Sequence, residues 1–110
     1  MDGLFTIREL DKIIIVDIHE QLIKEEQYGL LKDFLLKLME KKKHVAVNLT
    51  TMPRINSGII NIFIVASKRI HDFAKELYLV SPSENAEALF YVNNLDRILN
   101  IVKDEKELPV

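Results

Sequence analysis

The chain predicts an α/β fold, a mixed β-sheet with helices packed on it, in the order β-β-α-β-α-β-α-β. Three observations carry this. An imperfectly alternating stretch, "LFTIREL", and a β-branched run, "KIIIVDI", stand side by side near the start. Three later segments place apolar residues at helical spacing, and a short apolar strand follows each of them. Helices that alternate with strands require parallel crossovers, so the opening hairpin adds an antiparallel edge to an otherwise parallel sheet.

Each element has its own signal. Residues 4–10 alternate imperfectly and read as a strand, Asp11-Lys12 as a turn, and residues 12–18 as a well-buried strand. From about Ile23 to Lys42 the period changes. Leu30, Leu31, Phe34, Leu35, Leu38 and Met39 recur at helical spacing, with Lys32, Asp33, Lys37 and Glu40 between them. Gly29 inside that helix costs about 1 kcal/mol against alanine, with no reason visible in the sequence. Lys41-Lys42-Lys43 closes the helix, where cations favour the negative end of its dipole. A buried strand is expected at 44–49, a turn at "TTMPR", and a helix from about Ser57 to His71. Residues 76–81 form the next strand. Pro82 fits the first turn of a third helix whose Ala86, Leu89, Phe90 and Val92 share one side. Residues 97–102 read as the last strand, and the charged tail from Lys103 as a helical turn or disorder.

Bulk properties bound what such a chain can do. Its 110 residues fit a single domain, 1–110, with a core over about 4–102 and a tail over 103–110. Hydrophobic residues at 48% and charged residues at 29% suit a globule with one core rather than a disordered segment. The absence of cysteine removes disulfides, thiolate metal sites and cysteine nucleophiles together. A net charge of −2 and a pI near 5.9 give no bulk attraction to nucleic acid or anionic membrane. No segment approaches the roughly 20 apolar residues of a membrane span, and no signal peptide opens the chain, so a cytoplasmic location is expected.

The usual catalytic and metal-binding constellations are missing from the pattern. His19, His44 and His71 share no helical spacing and lack carboxylate support, so no metal is expected. Glu25, Glu26 and Asp33 lie along a solvated helix face, unpaired for acid–base work. Gly3, Gly29 and Gly58 form no phosphate loop, and Tyr78 and Tyr91 read as packing residues with wet hydroxyls. No cofactor and no catalysis are expected.

The informative stretch is "LTTMPRINSGIINIF", residues 49–63, where a polar turn runs straight into an apolar helix. Asn56 is a strong N-cap candidate, because its side-chain oxygen can accept a bond from an early helix amide. Ser57 then stands at the first helical position beside unpaired amides. At about 100° per residue, Ile59, Ile62, Phe63, Ala66 and Ile70 face the sheet, while Ser57, Asn61, Ile64 and Lys68 fall on the opposite side. Ile60 lies between the two faces. Ile60 and Ile64, partly exposed beside Ser57, would form a docking surface; equally, neighbouring loops would cover them.

These residues carry a resemblance. The chain resembles the STAS domain family, especially the bacterial anti-sigma factor antagonists, whose signature is a strand, a "D-L-s" turn, and D-S-[SA]-G-L opening a helix. "VAVNLTTMPRINSGIINIF" lines up with it without a gap. Asn48-Leu49-Thr50 takes the place of D-L-s, Ile55 the preceding apolar position, Asn56 that of the aspartate, and Ser57 that of the phosphorylated serine. "LYLVSPSENAEALFYVNNLDRILNIV" resembles the family's strand, Ser-Pro, helix and "gLdrif-i" ending, so the likeness covers about residues 4–102. The chain departs from the pattern at Asn56, at Gly58, at Ile59 in place of the glycine, and at His19-Glu20-Gln21-Leu22 in place of "G-x-L-D".

The resemblance implies an anti-sigma factor antagonist that binds an anti-sigma factor, commonly a serine kinase. It implies Ser57 as phosphoacceptor and Asn56, Ser57, Gly58, Asn61, Ile64 and Lys68 as the contact surface. The alternative keeps the fold without the switch: an unphosphorylated STAS subunit of a stress-signalling scaffold or lipid-transport complex, which Asn56 and Ile59 favour. A small enzyme or phospho-receiver is a third reading. A receiver needs an acidic pair and an acceptor aspartate at a strand end, where this chain has Asn48.

Overall fold

A computed structural model describes residues 3–109. Within them the strands are β1 (Phe5–Glu9), β2 (Ile13–Ile18), β3 (His44–Asn48), β4 (Leu77–Val80) and β5 (Asn100–Val102). The helices are α1 (Glu25–Leu38), α2 (Ser57–His71) and α3 (Glu84–Val92), with 3₁₀ turns at Met39–Lys41, Leu95–Arg97 and Glu105–Glu107. The strands lie in sequence order, β1-β2-β3-β4-β5. β1 runs antiparallel to β2, and every later pair is parallel. The expected element order and the mixed sheet are therefore present.

Strand periodicity divides the core in two. Ile14, Val16 and Ile18 of β2, Val45 and Val47 of β3, and Leu77 and Leu79 of β4 join one large cluster with the buried faces of all three helices. Leu31 and Leu35 of α1, Ile59, Phe63 and Ile70 of α2, and Phe90 of α3 supply those faces. The alternate strand residues, Ile13, Ile15, Ala46 and Val80, form a smaller cluster on the other side of the sheet. Its cover includes Leu108, which is buried although it belongs to the charged tail. The tail is thus a 3₁₀ turn laid over the second face.

Several boundaries differ from the sequence expectation. α1 begins at Glu25 because the side-chain Oε1 of Gln27 accepts from the amides of Ile23 and Lys24, capping the helix from inside. Its last turn tightens to 3₁₀ and stops at Lys42, which takes a left-handed conformation at φ 56°. Lys41 and Lys43 then reach Glu9 on β1, at 3.2 and 3.0 Å, in addition to sitting at the helix end. Pro82 precedes α3 rather than entering it, since Ser83 is the N-cap and its hydroxyl accepts from the Ala86 amide at 3.0 Å. Val92 is not on the buried side: α3 ends there, and its side chain is exposed. Tyr91 is likewise more exposed than a packing residue. β5 begins at Asn100, because residues 95–97 turn in a 3₁₀ coil that buries Leu95.

Candidate functional site

The loop from Leu49 to Asn56 delivers Ser57, and it is tied down at almost every step. Asn48 closes it at the start: its Oδ1 accepts from both the amide and the hydroxyl of Thr50, while its Nδ2 donates to Asp17. The Thr51 hydroxyl donates to the Ile18 carbonyl. The Leu22 amide meets the Met52 sulfur at 3.2 Å. Ser83 donates to the Pro53 carbonyl at 2.7 Å, joining the loop to the start of α3. Gln21 pairs with the backbone of Arg54 in both directions. Buried Met52 and Ile55 fix the loop from below.

Asn56 ends the loop in an extended conformation, and its Oδ1 accepts from the Ile59 amide at 3.0 Å. This is the expected N-cap, satisfying one of the first helix donors that lack an intrahelical acceptor. Its Nδ2 donates to the Tyr28 hydroxyl at 2.8 Å, a partner on α1 that sequence spacing does not reveal. Ser57 follows as the first residue of α2, exposed to solvent. Gly58 is exposed too, and lies beneath the Tyr28 ring: a Cβ there would stand 3.4 Å from two ring carbons and 3.2 Å from Asn56 Oδ1.

Five of the six candidate contact residues divide among three surface depressions, and Gly58 lines none of the three. Ser57, Asn61 and Ile64 line a shallow groove of about 290 Å³ between α2 and the end of α3, together with Ile60, Asn93 and Leu95. Asn56 belongs to a neighbouring cleft of about 350 Å³, shared with Gln21, Ile23, Tyr28 and Arg54. Lys68 sits further along α2, in a third groove between α1 and α2 that Lys32, Leu36 and Arg69 also line. Ile60 is not part of an open apolar surface. It is buried, and the half-buried Ile64 packs against the core beside it. The groove at Ser57 therefore has an apolar floor and a polar rim. Sequence reasoning missed Asn93 and Leu95, which reach the groove only because the 3₁₀ turn after α3 folds back.

Among the described residues the Ser57 groove has no charged lining residue, whereas Arg54 lines the neighbouring cleft and Lys32, Lys68, Arg69 and Asp72 line the third. Asp17, at the end of β2, is held below the usual carboxylate range by Arg8, which donates to both its oxygens, with Asn48 adding a further bond. Among the described residues no group of three or more histidines and carboxylates is arranged to hold a metal ion, and no helix is long and apolar enough to cross a membrane.

Comparison with protein families decides the assignment, because the STAS domain matches residues 5–108. The chain belongs to the STAS family. A sequence comparison with curated proteins gives no match. Solved structures similar to this STAS domain include a candidate anti-sigma factor antagonist from Thermotoga maritima. It is 25% identical, has a TM-score of 0.85, and aligns over 96% of this chain and 91% of its own. An anti-sigma-factor antagonist (STAS) domain protein from Planctomyces limnophilus is 16% identical, with a TM-score of 0.82 and coverage of 94% and 92%. The anti-sigma factor antagonist SpoIIAA in its unphosphorylated form is 10% identical, with a TM-score of 0.75 and coverage of 93% and 90%. The last two share the fold with this STAS domain.

Proposed function

We propose that this STAS domain acts as an anti-sigma factor antagonist: it binds an anti-sigma factor of the serine-kinase type and is released from it by phosphorylation of Ser57. The contact surface in this reading is Asn56, Ser57, Gly58, Asn61, Ile64 and Lys68, joined by Asn93 and Leu95. One observation carries it: Ser57 is a solvent-exposed hydroxyl at the first position of α2, on the rim of a groove with an apolar floor. The kinship of the fold to anti-sigma factor antagonists supports the choice of partner. The protein works by binding, in the cytoplasm, with no catalysis of its own.

Energetics explain how such a switch acts. Phosphoserine carries about −1.5 to −2 charges. At a helix N-terminus that charge is stabilised by about 0.3–1 kcal/mol, so α2 tolerates it. Against a docked partner the same charge loses water without compensation, which costs several kcal/mol, and about 1.4 kcal/mol is a tenfold loss of affinity. Phosphorylation thus releases the partner and leaves the fold intact.

A second reading keeps the binding surface as an unswitched scaffold in a larger assembly. Asn56 favours it, since its amide is committed to Tyr28 and offers a kinase no carboxylate beside Ser57. Capture from the native cell with Ser57→Ala and Ser57→Asp proteins separates the two. The switch predicts an anti-sigma factor held by Ala and lost by Asp, and a gain of one phosphate after incubation of the wild-type protein with that kinase and ATP. Equal recovery with no added phosphate leaves the scaffold.

A further inference from the structure

We infer that Tyr28 is the positioning residue of the Ser57 surface, locking the β2–α1 loop to the first turn of α2. The proposal rests on the binding role given to that surface above. The Tyr28 hydroxyl is used twice: it accepts from Asn56 Nδ2 at 2.8 Å and donates to the Ile23 carbonyl at 3.0 Å. The same Asn56 side chain caps α2 through the Ile59 amide. A single relay therefore runs from the loop before α1, through one phenol and one carboxamide, to the backbone that carries Ser57.

Two sequence oddities follow from this lock. A carboxylate at position 56 would cap α2 equally well, but it could only accept from the phenol, whose single proton would then leave the Ile23 carbonyl; the amide of asparagine lets the hydroxyl keep both bonds. Gly58 leaves room for the capping oxygen, because an added Cβ would stand 3.2 Å from it while meeting the ring at ordinary contact distance. The lock also fixes what lies on its far side. The Ile23 amide donates to Gln27 and its carbonyl accepts from Tyr28, so the backbone is held at both polar groups. Its side chain, 74% exposed, projects from a fixed point beside the cleft. A partner that docks over Ser57 meets both segments in one pre-set arrangement, which lowers the ordering cost of binding.

The test is Tyr28→Phe, which keeps the ring and deletes both hydroxyl bonds. In the free protein, backbone relaxation and hydrogen exchange of Ile23, Lys24, Gly58 and Ile59 should change together, since one group restrains both segments. Affinity for the purified anti-sigma factor that Ser57→Ala retains and Ser57→Asp loses should fall about five- to tenfold. The loss should shrink when Tyr28→Phe is made in an Asn56→Ser background, where a capping oxygen remains but the shorter side chain carries no amide to meet the phenol. Unchanged exchange in both segments overturns the lock. Loosened segments with unchanged affinity, or additive losses, overturn the positioning role. If Ser57→Asp loses no partner, the binding reading itself fails, and the exchange measurement still shows whether the two segments are coupled.

Discussion

The guanidinium of Arg8 on β1 grips the carboxylate of Glu105 in the final turn, through bonds of 2.9 and 2.7 Å, while also holding Asp17 on β2. These contacts dock the tail so that Leu108 covers Ile13, Ile15, Ala46 and Val80 on the sheet face opposite the helices. The ion pair is half-exposed and contributes about 0–1 kcal/mol, so the burial of Leu108 dominates. Leu108→Ala should destabilise the fold by about 2 kcal/mol, the low end for a buried leucine, and Glu105→Gln by less than about 1 kcal/mol. Urea unfolding of the two variants checks the order; equal losses would place the stabilisation in the ion pair instead.

The cap on α2 can be isolated from the switch. Asn56→Ala removes the acceptor for the Ile59 amide and should cost about 1 kcal/mol. Asn56→Asp keeps an acceptor and places negative charge at the positive end of the helix, so it should unfold close to wild type. Denaturation midpoints of the pair decide it. A loss for Asp as large as for Ala would mean that the bond to Tyr28, not the cap, carries the energy.

Much of the fold was legible because its signals are local. The β-branched run in "KIIIVDI" marks a buried strand whose two faces meet two different clusters, and "INSG" before an apolar run marks a cap. What escaped depends on residues distant in sequence. Ile60 has the helical angle of a half-open position, yet Leu95 and Asn93 fold back over that side of α2. Tyr28 lies 28 residues from Asn56, and no spacing rule joins a phenol on one helix to the cap of the next. The docked tail was hidden for the same reason: one leucine among five charged residues carries no periodicity, and its pocket is assembled from three strands.

A pH dependence follows from the other end of the sheet. His44 Nδ1 accepts from the Glu76 amide at 3.0 Å, so that nitrogen carries no proton in the fold. Burial lowers its pKa from the ordinary 6.5, Lys75 adds to the effect, and Glu76 opposes it. The unfolded chain thus takes up a proton at a pH where the folded chain does not. The stability contributed by neutral His44 is fully present above about pH 6.5 and is lost as pH falls through the folded value. Urea unfolding should show a larger loss between about pH 7.5 and pH 5.5 in wild type than in His44→Asn, whose amide oxygen can accept the same bond without titrating. Parallel profiles would remove His44 from the account.

The two helical glycines make opposite demands and give the sharpest comparison. Gly29 on α1 is exposed, and a Cβ there meets nothing within 4 Å, so the structure supplies no need for glycine. Gly29→Ala should therefore stabilise the protein by about 0.4–1 kcal/mol, through lower unfolded-state entropy and better helix propensity. Gly58 sits in the same kind of backbone, but its added Cβ would stand 3.2 Å from Asn56 Oδ1 and 3.4 Å from the Tyr28 ring. The ring is at ordinary contact distance, but the capping oxygen is closer than that and cannot retreat without lengthening its bond to the Ile59 amide. Gly58→Ala should forfeit the propensity gain and come out neutral or destabilising. Thermal or urea midpoints of the two variants settle it: a gain at position 58 equal to that at 29 would mean that the capping oxygen shifts freely and that the cap geometry at this point is loose.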